Sequence, residues 1–214
     1  LQTDPVLQTA SARRGGRGNP QRRTVALPAP VAGEAPRRGR SARSFARRSM
    51  RPATLGAILH AGYGVAHGDR RTVPSGGALY PLELYPVVRR AEGLVAGVYR
   101  YDPAQHRLEL VRGGQVDEEL DSVCALDGQL RDAATVVFLA AVFWRTRFKY
   151  GLRGYRFALL EAGHCAQNML LAAHRRDVGA LPLGGYYDGA AERLVEVDGV
   201  DEAVVYAVAF EGDT

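Results

Sequence analysis

Residues 135–144 read Thr-Val-Val-Phe-Leu-Ala-Ala-Val-Phe-Trp, ten positions without a charge. A run this apolar, β-branched and aromatic fits a strand buried on both faces of a sheet. From Tyr155 to Arg176 the apolar pattern instead wraps most of a helical circumference, with alanines, Gly163 and Cys165 as small faces. That predicts a long, buried helix which lets a neighbouring backbone approach closely. Working outward, Thr54 reads as the cap of a short helix carrying Leu55, Ile58 and Leu59 and ended by Gly62 and Gly64. A Pro-Ser-Gly-Gly turn leads into a strand over 84–88, and runs 97–101 and 107–111 read as a hairpin around Asp102 and Pro103. A polar helix over 116–124, a short strand near Leu181, a helix over 190–195 and a last strand over 203–210 complete the order. There is no internal repeat and no βαβαβ alternation, so the class is α+β.

The 214 residues carry a formal net charge of +5, but the charge is unevenly spread. Residues 1–51 hold twelve arginines against Asp4 and Glu34, which leaves the remainder at −5. Residues 1–36, rich in Arg, Gly and Pro, cannot bury a core and read as a disordered basic tail before one domain over 37–214. No aromatic interleaves those arginines, which argues against nucleic acid as the partner. Two cysteines exclude a disulfide framework and make a cytoplasmic setting the default. No run is long and apolar enough for a membrane span, and the first fourteen residues lack a signal peptide's apolar core. The five histidines are scattered, so no metal site is expected.

Of 28 basic residues only Lys149 is lysine. Arginine keeps its proton in proteins while lysine can lose one, so a proton-transfer role would explain the exception, and a solvated surface lysine is the plain alternative. Three further features suit an anion or a flat ring. Arg40, Ser41 and Arg43 set two guanidinium groups around a hydroxyl, chemistry that suits a phosphate. Pro74, Ser75, Gly76 and Gly77, and again Gly184 and Gly185 after Pro182, form turns with free amides on which a planar ligand can lie. His164, Gln167 and Asn168 on the long helix are candidates for a cofactor or substrate contact.

Taken in order, RSxRxF from Arg40, LHAGYGV from Leu59, RTVPSGGALYPLELY from Arg71, GVYRYD from Gly97, KYGLRGYRF from Lys149, GHCAQNMLLAAH from Gly163 and PLGGYYD from Pro182 resemble the SagB-type branch of the nitroreductase-like flavoproteins. The resemblance runs from about Val25 to Phe210. It implies a nitroreductase-like α+β fold, a central antiparallel or mixed sheet flanked by helices, and an intertwined homodimer with FMN at the subunit interface. It implies that Arg40, Ser41 and Arg43 hold the phosphate and ribityl chain. The Pro74–Gly77 turn would flank the flavin from the partner subunit, with Gly184 and Gly185 near the ring. Where many relatives have a second arginine before the Arg-Ser step, this chain has Gly39, and it ends at AFEGDT without the further basic group relatives often carry. Weaker retention of FMN is therefore expected.

Members with a Lys-Tyr pair before G-x-R-G-Y-R resemble azoline oxidases, which aromatise thiazoline or oxazoline rings in ribosomally made peptides. That implies Lys149 and Tyr150 as the catalytic pair, Lys149 removing a Cα proton while hydride passes to FMN and then to oxygen. An azoline-bearing peptide is the implied substrate, and the cyclodehydratase that makes such rings is an implied partner. The alternatives are a related enzyme dehydrogenating a cyclic dipeptide or a carrier-bound thiazoline, an NAD(P)H nitro- or quinone reductase, and a non-catalytic scaffold.

Overall fold

The computed structural model describes residues 39–125 and 128–214; the tail expected over 1–36 lies outside them. In chain order the elements are α1 (Pro52–Tyr63), β1 (Val65–His67), β2 (Arg70–Arg71), β3 (Leu82–Val88), β4 (Gly97–Asp102), β5 (Arg107–Gly113), α2 (Asp117–Val123), β6 (Thr135–Val142), α3 (Trp144–Tyr150), α4 (Arg153–His174), β7 (Ala180–Leu183), α5 (Asp188–Val195) and β8 (Glu202–Phe210). A single turn of 3₁₀ helix spans Gly76–Ala78. Six strands pair antiparallel in the order β5-β4-β3-β6-β8-β7, and β1 and β2 form a separate two-stranded ribbon.

The uncharged run is the central strand β6, flanked by β3 and β8, with all eight of its residues buried. One face of the sheet is covered by α1 and α4 through Leu55, Ile58, Leu59, Ala162, Cys165 and Met169. The other face is covered by α2 and α5 through Leu120, Val123, Ala191, Leu194 and Val195. Among the described residues no helix is long and apolar enough to cross a membrane.

Four expectations need correction. The strand read to Trp144 stops at Val142, because Phe143 already has helical φ and ψ and the chain turns into α3. The first helix starts with Pro52 in its first turn rather than at a Thr54 cap. Its cap comes from the far end of the chain: Asp213 accepts hydrogen bonds from the Arg51 amide (2.8 Å) and the Thr54 hydroxyl (2.5 Å). Gly62 does not end α1 but lies inside it, where a Cβ would come 2.5 Å from Cγ of Met169, so the glycine sets how closely α1 and α4 approach. Lastly, α4 is not buried all round: Tyr155 (52%), Leu159 (39%) and Leu160 (55%) remain accessible on its outer face.

Candidate active site

Lys149 and Tyr150 end α3, which stops at Gly151, whose φ of 55° lies in the left-handed region. Packing holds α3 against α4. The buried Thr146 hydroxyl lies 3.2 Å from the carbonyl oxygens of both Phe143 and Gly154, and a Cβ on Gly154 would strike the Thr146 backbone at 2.9 Å. The Tyr150 ring meets Phe157 of α4 edge-on at 4.9 Å, and Lys149 Nζ lies 5.4 Å from the Tyr150 ring centre.

Both side chains aim at one backbone position. A Cβ added to Gly77 would lie 2.5 Å from Tyr150 Oη and 3.0 Å from Lys149 Nζ. Gly77 has φ 68°, and Ala78 and Tyr80 also have positive φ, so the turn is tightly wound. Ser75 closes it, its carbonyl accepting from the Ala78 amide at 3.1 Å and its hydroxyl from the Tyr80 amide at 2.9 Å. Phe157 underlies the neighbouring residue, 3.0 Å from where a Gly76 Cβ would stand. The two sequence-derived groups, the Pro-Ser-Gly-Gly turn and the Lys-Tyr pair, therefore meet within one chain.

Lys149 is exposed in the single chain. Of the arginines near it in sequence, Arg145 is tied to Glu83 at 2.6 Å and faces the Tyr80 carbonyl.

Behind the turn stands a residue that the sequence reading passed over. Glu161 of α4 is 2% exposed and accepts a 2.5 Å hydrogen bond from the Tyr63 hydroxyl, which in turn accepts from the Leu82 amide at 3.1 Å. Burial pushes the Glu161 carboxyl above its ordinary range, against the opposing pull of Ser75, Tyr63 and Arg71. Its only legible signal was a carboxylate inside the run ALLEAG.

The anion-binding candidates lie elsewhere. The Ala42 amide donates to the Ala180 carbonyl at 2.9 Å, which fixes Arg40, Ser41 and Arg43 beside the start of β7. Arg40 helps line a cavity of about 320 Å³ with Gly39, His174, Asp177, Gly179 and Ala180. Gly39 has a steric reason to be glycine, since a Cβ there would lie 2.8 Å from His174 Nδ1. Arg40 and Arg43 are exposed, with no ion pair to any described residue. Gly184 and Gly185 follow β7, with nothing within 4 Å of an added Cβ. Asn168 donates to the Thr72 carbonyl at 3.2 Å, while His164 and Gln167 are exposed on α4. No three metal-ligating side chains gather among the described residues.

Helix α4 connects the two groups. Phe157 touches Gly76 near its start and His174 touches Gly39 at its end, and 17 residues of helix separate them by about 26 Å. The two groups of candidate residues therefore lie at opposite ends of one helix.

The Nitroreductase family model matches residues 37–213. A Methanocaldococcus jannaschii protein described as a nitroreductase is 36% identical over 161 residues, 74% of this chain and 80% of its own length. The microcin B17-processing protein McbC of Escherichia coli is 33% identical over 134 residues, 60% of this chain and 49% of McbC, so the match spans about half of that relative. Among solved structures, the E. coli microcin synthetase McbBCD complex with truncated pro-MccB17 bound matches with a TM-score of 0.87 at 25% identity, over 100% of this chain and 84% of the matched one. A nitroreductase from Desulfovibrio desulfuricans in complex with FMN shares the fold, with a TM-score of 0.56 at 19% identity over 81% of each chain. Both groups fall inside the matched span, and the chain belongs to the nitroreductase family, as a homologue of McbC and of the trifolitoxin-processing protein TfxB of Rhizobium leguminosarum bv. trifolii.

Proposed function

We propose that this chain is an FMN-dependent azoline oxidase that aromatises thiazoline or oxazoline rings in a modified peptide. The observation that carries the reading is the convergence of Lys149 Nζ and Tyr150 Oη on the Gly77 backbone. An amine and a phenol over a glycine turn offer proton transfer beside a surface on which a flat ring can lie.

The residues fit FMN. Arg40, Arg43 and Ser41 supply the donors a phosphate needs, the cavity beside Arg40 has room for it, and Gly184 and Gly185 leave open space beyond β7. The two halves lie too far apart along α4 to share one mononucleotide within a single chain. A homodimer, in which the Arg40 half of one subunit meets the Gly77–Lys149 half of the other, completes two sites. The outer face of α4, continued by Trp144, Phe148 and Leu152 at 61%, 71% and 85% exposure, is the apolar surface such a dimer would cover.

Going from azoline to azole removes a proton from the ring Cα and a hydride from the neighbouring CH₂. FMN, when bound, supplies the hydride acceptor and returns the electrons to oxygen. The chain supplies the rest: Lys149 Nζ takes the Cα proton as a neutral amine, and Tyr150, braced by Phe157, orients that amine. The substrate and the second subunit would cover the exposed Lys149 amine. The peptide substrate, a cyclodehydratase partner and a cytoplasmic location belong to the same reading; the pro-peptide bound in the McbBCD complex and two free buried cysteines here support it.

The M. jannaschii relative favours a second reading, an NAD(P)H-dependent reductase of nitro compounds or quinones. Incubation of FMN-loaded protein with an azoline peptide separates the two. Loss of two mass units from the peptide with oxygen consumed supports the oxidase, whereas NAD(P)H oxidation without peptide change supports the reductase.

A further inference from the structure

The Pro74–Gly77 turn is attached to α4 along one helical face. Phe157 lies under Gly76, the Glu161 carboxylate stands next to Ser75, and Asn168 donates to the Thr72 carbonyl at 3.2 Å. Residues 157, 161 and 168 share a face at spacings of four and seven, so segment 72–77 runs along the helix toward Lys149 and Tyr150. Of these attachments Glu161 is the one with an energetic peculiarity. Its Oε1 takes the Tyr63 hydroxyl, while its Oε2 is buried without a hydrogen-bond partner of ordinary geometry. Tyr63 is in turn covered by the Arg71 guanidinium, 4.3 Å above its ring. A carboxylate buried this deeply on a helix face is costly to keep, and an alanine or leucine would fill the same place.

We propose that Glu161 is a positioning residue, which holds the Ser75 end of the turn so that the Gly77 backbone stays in register with Lys149 and Tyr150. The Ser75 hydroxyl, which already accepts from the Tyr80 amide at 2.9 Å, has its own proton left to give to Glu161. Hydrogen bonds run from Leu82 through Tyr63 to Glu161 Oε1, and the Ser75 hydroxyl, held by the Tyr80 amide, stands beside the same carboxylate. The turn is tied in this way to α1, β3 and α4 at once. The inference deepens the proposed function and rests on reading Lys149 and Tyr150 as the catalytic pair.

The test compares Glu161→Leu with Glu161→Gln in the full chain, read by amide hydrogen exchange and by steady-state kinetics on an azoline peptide. Glu161→Leu should speed exchange across residues 75–80 by about tenfold while β6 exchanges as in the parent protein. It should lower kcat by about 10- to 100-fold with KM little changed. Glu161→Gln keeps an acceptor for Tyr63 and should restore most of both. In a Ser75→Ala background, Glu161→Leu should add almost nothing to the loss, because the hydroxyl it acts through is gone. Unchanged exchange at 75–80 overturns the proposal, and so does exchange accelerated throughout the chain, which would make Glu161 a core residue only. If Glu161→Leu does not fold, Glu161→Ala takes its place, and unchanged exchange at 75–80 in that variant overturns the proposal instead. The exchange readout needs neither flavin nor turnover, so a parent protein inactive on azoline peptides would contradict the functional reading and leave the test of Glu161 standing.

Discussion

The Tyr150 hydroxyl occupies the space that a side chain on Gly77 would need: an added Cβ would come 2.5 Å from Oη, at a residue whose φ is 68°. Both facts exclude alanine at this position for local reasons. Gly77→Ala should therefore displace Tyr150 and Lys149 without unfolding the sheet, and cost about 100-fold in turnover. Circular dichroism should be unchanged while azoline peptide oxidation falls. Full activity in Gly77→Ala would show that the contact between turn and pair is incidental.

Gly39 packs against His174 at the edge of the cavity beside Arg40. Gly39→Arg drives a Cβ to 2.8 Å from the imidazole Nδ1, so the added charge should not tighten FMN binding by itself. Combining Gly39→Arg with His174→Ala removes the obstruction, and fluorescence titration should then show FMN bound more tightly than by the parent. Equal improvement in the single variant would mean that the His174 ring simply swings aside.

Two carboxyl groups give stability opposite dependences on pH. Burial pushes the Asp213 carboxyl up, but hydrogen bonds from the Thr54 hydroxyl and from Arg51 hold it below the ordinary 3.8. Its contribution is present above pH 3.8 and is lost as the pH falls through the lower folded value. The Glu161 carboxyl is raised above the ordinary 4.5, so its contribution is present below that value and is lost as the pH rises through the folded one. Glu161→Gln should accordingly melt at the same or a higher temperature than the parent at pH 8, with the difference shrinking toward pH 4. Asp213→Asn should show a destabilisation at pH 8 that shrinks as the pH falls below 3.8.

Leu160 lies on the exposed face of α4, 55% accessible. If that face is covered in a dimer, light scattering should give twice 23.1 kDa, and Leu160→Glu should shift the protein toward monomer and weaken FMN binding together. A monomeric parent that binds FMN fully would remove the argument that the two halves of the site come from two subunits.

What the sequence revealed follows from how local each signal is. The uncharged run at 135–142 and the hairpin around Asp102 are short-range patterns, and both elements stand where they were read. The strand end at Val142 was not legible, because Phe143 and Trp144 are as apolar as the strand and only the tertiary turn into α3 distinguishes them. The cap of α1 was missed for a similar reason: Asp213 lies 162 residues from Arg51. In the candidate site, Lys149 stood out as the sole lysine and the glycine turn by its composition. Glu161 did not, since its burial and its bond to Tyr63, 98 residues away, are tertiary facts that no spacing in the sequence records.

The central claim is that the Lys149 amine accepts a proton, and Lys149→Arg tests it most directly. The variant keeps a long basic side chain beside Tyr150, but its guanidinium is already protonated and cannot take up a proton at neutral pH. With FMN binding, flavin spectrum and subunit assembly equal to the parent, its rate of azoline oxidation in single-turnover experiments should fall by about 10² to 10⁴. A Lys149→Arg protein that oxidises the azoline peptide at the parent rate would contradict the account and reduce Lys149 to a positive charge near the site.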